Sequence, residues 1–152
     1  MTTSPDYEVY LAQRAAVDAL TADILPRNKA AIFDALASAN IQTVAVAFDG
    51  YGDSGQIEST TAHDATGAER ELPNATVAFH EVAFQGPTTT MQSILLDEAI
   101  AMLVFSLLEQ VHAGWEDNDG AYGEFTFDVA TRSITLDYNE RFTDSTNYQH
   151  EF

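Results

Sequence analysis

The sequence predicts an α+β domain: an antiparallel sheet of about five strands backed by a long central helix, with two further helices at the N-terminus. Three observations predict it. Apolar residues recur at three- and four-residue spacing before residue 40 and again after residue 90; they alternate with a period of two in the stretches between and beyond; and the period changes at glycine- or proline-marked breaks. No linker divides the 152 residues, and 45% apolar content is enough to bury a core, so a single domain over 1–152 is expected. It comprises N-terminal helices over 5–39, an α+β core over 41–141 and a polar tail over 142–152.

Ser4 ahead of Pro5 supplies a capping hydroxyl before a proline tolerated in the first turn, and Asp6 and Glu8 suit the positive end of the helix dipole. Val9, Ala12, Ala16 and Leu20 form one apolar stripe, and Ile32, Phe33 and Leu36 form another. Leu25-Pro26 separates them, which predicts two helices. From Ile41 the pattern alternates, with Val44, Val46 and Phe48 on one face, and ends in the turn Asp49-Gly50-Tyr51-Gly52-Asp53-Ser54-Gly55. Gln56 to Thr61 returns as the second strand of a hairpin, and residues 63–74 are polar enough for a loop. Thr76 to Phe84 is a third strand, closed by Gly86-Pro87.

Thr88 to His112 is expected to be helical, with seven consecutive apolar residues from Ala99 to Phe105 that suit a central position. Ala113-Gly114 is expected to end it. Phe125, Phe127 and Val129, then Ile134, Leu136 and Tyr138, form a last hairpin around Thr131-Arg132. Its alternation turns Glu124, Thr126, Asp128, Thr135, Asp137 and Asn139 toward water.

Charge narrows the function. The chain carries 24 Asp and Glu against 6 Lys and Arg, a net charge of -18, and would be repelled by nucleic acid and by anionic lipid. Cysteine is absent, which excludes disulfides, thiol nucleophiles and thiolate metal sites. Neither a signal-peptide pattern nor a membrane-length apolar run occurs, so a soluble cytoplasmic protein is the expectation. The acids are also segregated. Between Arg70 and Arg132 there is no Lys or Arg, while ten acids occur, from Glu71 to Asp128.

No catalytic motif survives inspection of its context. Gly52-Asp53-Ser54-Gly55 has the letters of a serine-protease nucleophile loop, but the chain is too short for the paired barrels such a loop needs. In Glu116-Asp117-Asn118-Asp119-Gly120, aligning Gly120 with the glycine of a calcium loop puts Trp115 and Thr126 at the first and last ligand positions, which excludes an EF-hand. The four histidines, His63, His80, His112 and His150, are scattered; His112 and Glu116 are four apart but straddle the expected helix stop.

Three strings are distinctive: Phe48 to Glu58, Gly114 to Phe125 and Leu136-Asp137-Tyr138-Asn139-Glu140-Arg141. In them the chain resembles an uncharacterised family of small acidic bacterial proteins, often encoded on mobile elements, over roughly Ile32 to Arg141. The resemblance implies no catalytic residues. It implies a context in which inhibitors of host defence, such as antirestriction and anti-CRISPR proteins, are found.

The functional expectation is a non-enzymatic inhibitor or adaptor that needs no cofactor or metal. Its acidic surface would occupy the basic groove of a nucleic-acid-binding protein, through Glu116, Asp117, Asp119, Glu124, Asp128, Asp137 and Glu140. One alternative is a metal-dependent hydrolase that gathers Asp49, Asp53 and Glu58 with Glu116, Asp117 and Asp119, which requires the two glycine-acid turns to meet at one end of the sheet. Another is a salt-adapted housekeeping domain, for which a single lysine, Lys29, is in character.

Overall fold

The computed structural model describes residues 4–52, 54–83, 88–117 and 119–152. In chain order the elements are α1 (Pro5–Ser38), β1 (Thr43–Tyr51), β2 (Ser54–His63), β3 (Glu69–Arg70), β4 (Thr76–Ala83), β5 (Thr88–Leu95), α2 (Leu96–Val111), β6 (Ala121–Asp128) and β7 (Ser133–Glu140). Five strands make an antiparallel sheet in the order β3-β2-β1-β6-β7, and β4 and β5 form a separate two-stranded ribbon.

β1 sits at the centre of the sheet because its alternation is the cleanest in the chain. Val44, Val46 and Phe48 point inward and are buried, while Thr43, Ala45 and Ala47 face outward. Across the ladder Val44 meets Phe127, Val46 meets Phe125, and Phe48 meets Gly123, where the absence of a side chain leaves room for its ring. The helices close this inner face with Ile32, Phe33 and Leu36 from α1 and Ile100, Leu103, Val104 and Leu108 from α2. The Phe33 and Phe127 rings meet at 5.9 Å between centroids. Burial of each such side chain contributes roughly 1.5–3 kcal/mol, which makes this the main stabilising layer.

The expected α+β class holds, and the helices differ from expectation in three ways. Residues 5–38 form one helix, not two, with Ser4 accepting from the Tyr7 amide and Pro26 inside. Proline removes the bond to the Ala22 carbonyl, but both residues are exposed, so the freed acceptor faces solvent and the helix continues. Second, Thr88–Leu95 is a strand, and α2 begins only at Leu96. The threonine cluster expected to open the helix is β-branched, and pairing with β4 decides its conformation. Third, the longest helix is α1, while α2, at 16 residues, is the central one.

The sheet differs too. The strand beginning at Thr76 lies in the ribbon and not in the main sheet, and the stretch read as a loop contains the short β3. Gly86-Pro87, the expected end of that strand, lies outside the described residues. Of the remaining expectations, α2 stops at Val111 with Gly114 at φ 77°, and residues 141–152 carry no regular structure.

Asn28 fixes the ribbon to the body. It is 3% exposed, donates from Nδ2 to the His80 carbonyl at 3.0 Å, and accepts the His80 amide at 2.8 Å. Its two bonds stand in for a neighbouring strand on the outer edge of β4. Asp64 does a comparable job between β2 and β3. The Thr66 hydroxyl and the Arg70 guanidinium, joined by the Thr66 and Ala68 amides, hold its carboxyl well below the usual carboxylate range.

These contacts give three expected outcomes by thermal denaturation. Pro26→Ala restores a helix bond and raises Tm, by up to about 3 kcal/mol of added stability. Asn28→Ala leaves the His80 backbone groups unpaired and lowers stability by about 2 kcal/mol or more. Because the Asp64 pKa is lower folded than unfolded, its contribution is complete above the unfolded value of about 3.9 and is lost as pH falls below it. Asp64→Asn should therefore show a shallower loss of Tm than wild type between about pH 4 and pH 2.

Candidate functional site

The architecture leaves the outer face of the main sheet open, because both helices pack on the inner face. Register fixes which acids it carries. Glu124 on β6 lies directly opposite Asp137 on β7, and both are exposed; Asp128 lies further along β6 opposite Ser133. Residues paired in this way have Cβ atoms roughly 4.5–5.5 Å apart, and Asp128 lies about 13 Å along the strand from Glu124. The surrounding positions are small. Ala47 stands beside Glu124, Ala45 beside Thr126 and Thr43 beside Asp128. Glu124 and Asp137 therefore project from a low surface, whereas Asp128 is half-buried and accepts the Thr131 amide of the hairpin turn at 3.2 Å.

Arg141 stands at one end of this face, on Asp49 and over Tyr122, but among the described residues no arginine pairs with Glu124, Asp128 or Asp137. Among the described residues the five arginines pair Arg14 with Asp18, Arg27 with Asp23, Arg70 with Asp64, Arg132 with Asp34 and Arg141 with Asp49. None of those acids belongs to the seven expected at the binding surface. Like charges directly opposite on a sheet cost roughly 0.2–1 kcal/mol, so the Glu124–Asp137 pair is tolerated at some expense of stability.

The two glycine-acid turns do meet, at one end of the sheet, and Trp115 joins them. Its ring lies over Gly50 and Gly55 of the β1–β2 turn, where a Cβ on either glycine would run into the indole, and it meets Phe48 edge-on at 5.4 Å. Gly120 lies against the Gly50 carbonyl at φ 81°, a backbone position that no side chain could share. Arg141 then locks the junction. It donates to both Asp49 oxygens at 2.8 and 3.0 Å, its guanidinium lies 4.6 Å from the Tyr122 ring centroid, and its amide donates to the Gly120 carbonyl.

Beside this junction is a polar cleft of about 210 Å³, lined by His112, Asp117, Asp119, Tyr138, Glu140 and Arg141 among others. The His112 ring stacks on Tyr138 at 3.6 Å. Burial, then the negative fields of Glu140 and Glu116, push the Tyr138 hydroxyl up, so it stays protonated at neutral pH. Asp119 accepts from the Thr143 hydroxyl at 2.7 Å. Glu116 has one carboxylate oxygen shielded from solvent with no hydrogen-bond partner among the described residues.

The seven acids thus fall into two groups. Glu124, Asp128 and Asp137 share the outer face. Asp117, Asp119 and Glu140 line the cleft, and Glu140 belongs there because its partner Ala121 points into the core. Glu116 is half-buried next to Gly50. For the metal alternative, Asp49 gives both oxygens to Arg141, Glu58 accepts from Gln56, and Asp53 lies outside the described residues. Among the described residues no three His, Asp or Glu side chains come close enough to hold a metal ion.

Sequence reasoning missed Arg141 as a structural clamp, although an arginine directly after the last strand of so acidic a chain is a usable signal. It also missed a second recess, about 420 Å³, between α1, α2 and β4, which includes Thr21, Asn28, His80, Glu81 and Ser106. Its polar residues are isolated in sequence and come together only through the ribbon's docking.

Trp115 is the only tryptophan in the chain and is 6% exposed, so it reports on the junction directly. Gly55→Ala should shift its fluorescence to longer wavelength and lower stability by on the order of 3 kcal/mol, whereas Gly67→Ala, at a site with open space around it, should leave the emission unchanged.

Neither a curated protein nor a solved structure matches the chain. Residues 24–152 match the model of a family of unknown function, DUF6878, and the chain belongs to that family.

Proposed function

We propose that this protein is a non-enzymatic inhibitor or adaptor whose outer sheet face binds the basic surface that a nucleic-acid-binding protein uses for its own ligand. The observation that carries the proposal is the Glu124–Asp137 pair: two carboxylates directly opposite on an open face, with Asp128 on the same side and the five arginines paired to other acids. Salt adaptation alone gives no reason to place uncompensated acids in register. A rigid strand pair presents them at fixed spacing, and small neighbours at Ala45 and Ala47 let a flat partner surface approach.

The partner's chemistry follows from the charge. A chain at -18 is steered toward a cationic surface, and the grooves that proteins build for phosphate backbones are surfaces of that kind. A restriction or CRISPR nuclease is the kind of target the resemblance implies. The hydrolase reading receives less support, because Arg141 already holds Asp49 and the described acids form no metal-binding group.

The test uses affinity capture from the native host, with wild type and the triple variant Glu124→Gln, Asp128→Asn, Asp137→Asn. Wild type should retain nucleic-acid-binding proteins that are released by duplex DNA and by raised salt. The variant should lose them at least tenfold while keeping a Tm equal to or above wild type, since a repulsion is removed. Equal retention by the two proteins contradicts the proposal.

A further inference from the structure

The ribbon has an exposed edge that no described residue protects. The described structure has four sheet edges. β3 is only two residues long and leaves β2 open from Ser54 to Thr61, where Glu58 supplies a charge and Gly55 a break; β7 carries Asp137 and Glu140, and β4 is closed by Asn28 from α1. Short length, charge and a covering element are the usual devices that stop an edge from pairing with another chain. β5 has none of them. Thr88–Leu95 holds no charged residue, proline or glycine, and every residue except Ile94 is exposed. In a chain of charge -18, this strand is an uncharged segment rich in β-branched residues, whose outward backbone groups bond to none of the described residues.

The hydrogen-bond phase of that edge follows from Asn28. His80 gives its amide and carbonyl to Asn28, so His80 and Met91 face each other as a non-hydrogen-bonded pair of the β4–β5 ladder. The amide and carbonyl of Met91 therefore point away from β4, and those of Thr89 and Ser93 do the same by alternation. An antiparallel strand pairs with itself across a two-fold axis when one outward-directed residue sits on the axis. Met91, 60% exposed and central in β5, satisfies this. Thr89 then lies opposite Ser93 of the second copy.

We propose that two copies associate through β5, with Met91 on the two-fold axis, to make a four-stranded antiparallel sheet β4-β5-β5-β4. The occupant is a second copy because this edge is complementary to itself in length, phase and lack of charge, and a two-stranded ribbon gains from added strands. The remaining charge of both copies opposes the pairing. Raised salt therefore strengthens this contact, the opposite of its effect on an acidic face meeting a basic partner. No residue of β6 or β7 takes part.

The test is sedimentation of the full chain, with variants, at low salt and at about 0.5 M salt. Wild type should sediment at twice the 16.6 kDa chain mass, increasingly so at the higher salt. Paired Met91 residues would have Cα atoms about 5.5 Å apart, within disulfide range, and the chain has no other cysteine. Met91→Cys should therefore oxidise in air to a covalent dimer, and Thr60→Cys, on exposed β2, should not. Met91→Pro removes an outward amide without touching the β4 ladder and should be monomeric. If it fails to fold, Thr89→Glu with Ser93→Glu puts like charges opposite across the axis and should be monomeric with an unchanged circular dichroism spectrum. Wild type at single-chain mass throughout overturns the proposal. So does a dimer that survives the glutamates, or Met91→Cys that oxidises no faster than Thr60→Cys.

Discussion

The strict alternation of the central sheet under a single helical layer is the constraint on which the rest depends. With helices on one face only, each strand must send its apolar residues one way and its polar residues the other, because a shift of one position would expose Val44, Val46 and Phe48. The positions of Glu124, Asp128 and Asp137 then follow from those of Phe125, Phe127, Leu136 and Ile134, which face inward in the same strands. The acids face outward by geometry. Among the described residues none of the three pairs with an arginine, although Arg141 stands at the end of the same face on Asp49, and that is a separate choice of sequence.

The distinctive glycine-acid blocks have a structural explanation before any chemical one. Gly50 and Gly55 admit the Trp115 ring, Gly120 admits the Gly50 carbonyl, and Asp49 anchors Arg141. These contacts hold the β1–β2 turn to the loop before β6, and they set the end of the platform. The cleft beside them collects Asp117, Asp119 and Glu140 around a stacked histidine and tyrosine. Its negative lining extends the acidic character of the sheet around one end of the molecule and gives the surface two facets.

Much of this was legible in the sequence where one signal dominated. The cap at Ser4, the alternation of β1 and the last hairpin, and the glycine stop after α2 each rest on local chemistry. The errors arose where local signals competed with distant contacts. Pro26 looked like a break, but an exposed carbonyl made it tolerable; Thr88 to Thr90 looked like a helix start, but pairing with β4 made them strand. The split of the seven acids was hidden for a different reason. Glu140 and Asp137 are three apart in one strand, so Glu140 follows Ile134, Leu136 and Tyr138 onto the inner face, where it pairs with Ala121, and its charge masks that alternation.

The most direct test of the central claim is a double-mutant cycle on Glu124 and Asp137, with unfolding free energies measured for wild type, Glu124→Gln, Asp137→Asn and the double variant at low and high salt. Opposed, uncompensated carboxylates predict that either single change relieves most of the repulsion, that the second adds little, and that the coupling of roughly 0.2–1 kcal/mol shrinks as salt rises. A coupling of zero at low salt, or one of opposite sign, would mean that the two charges do not confront each other on an open face, and the account would be wrong.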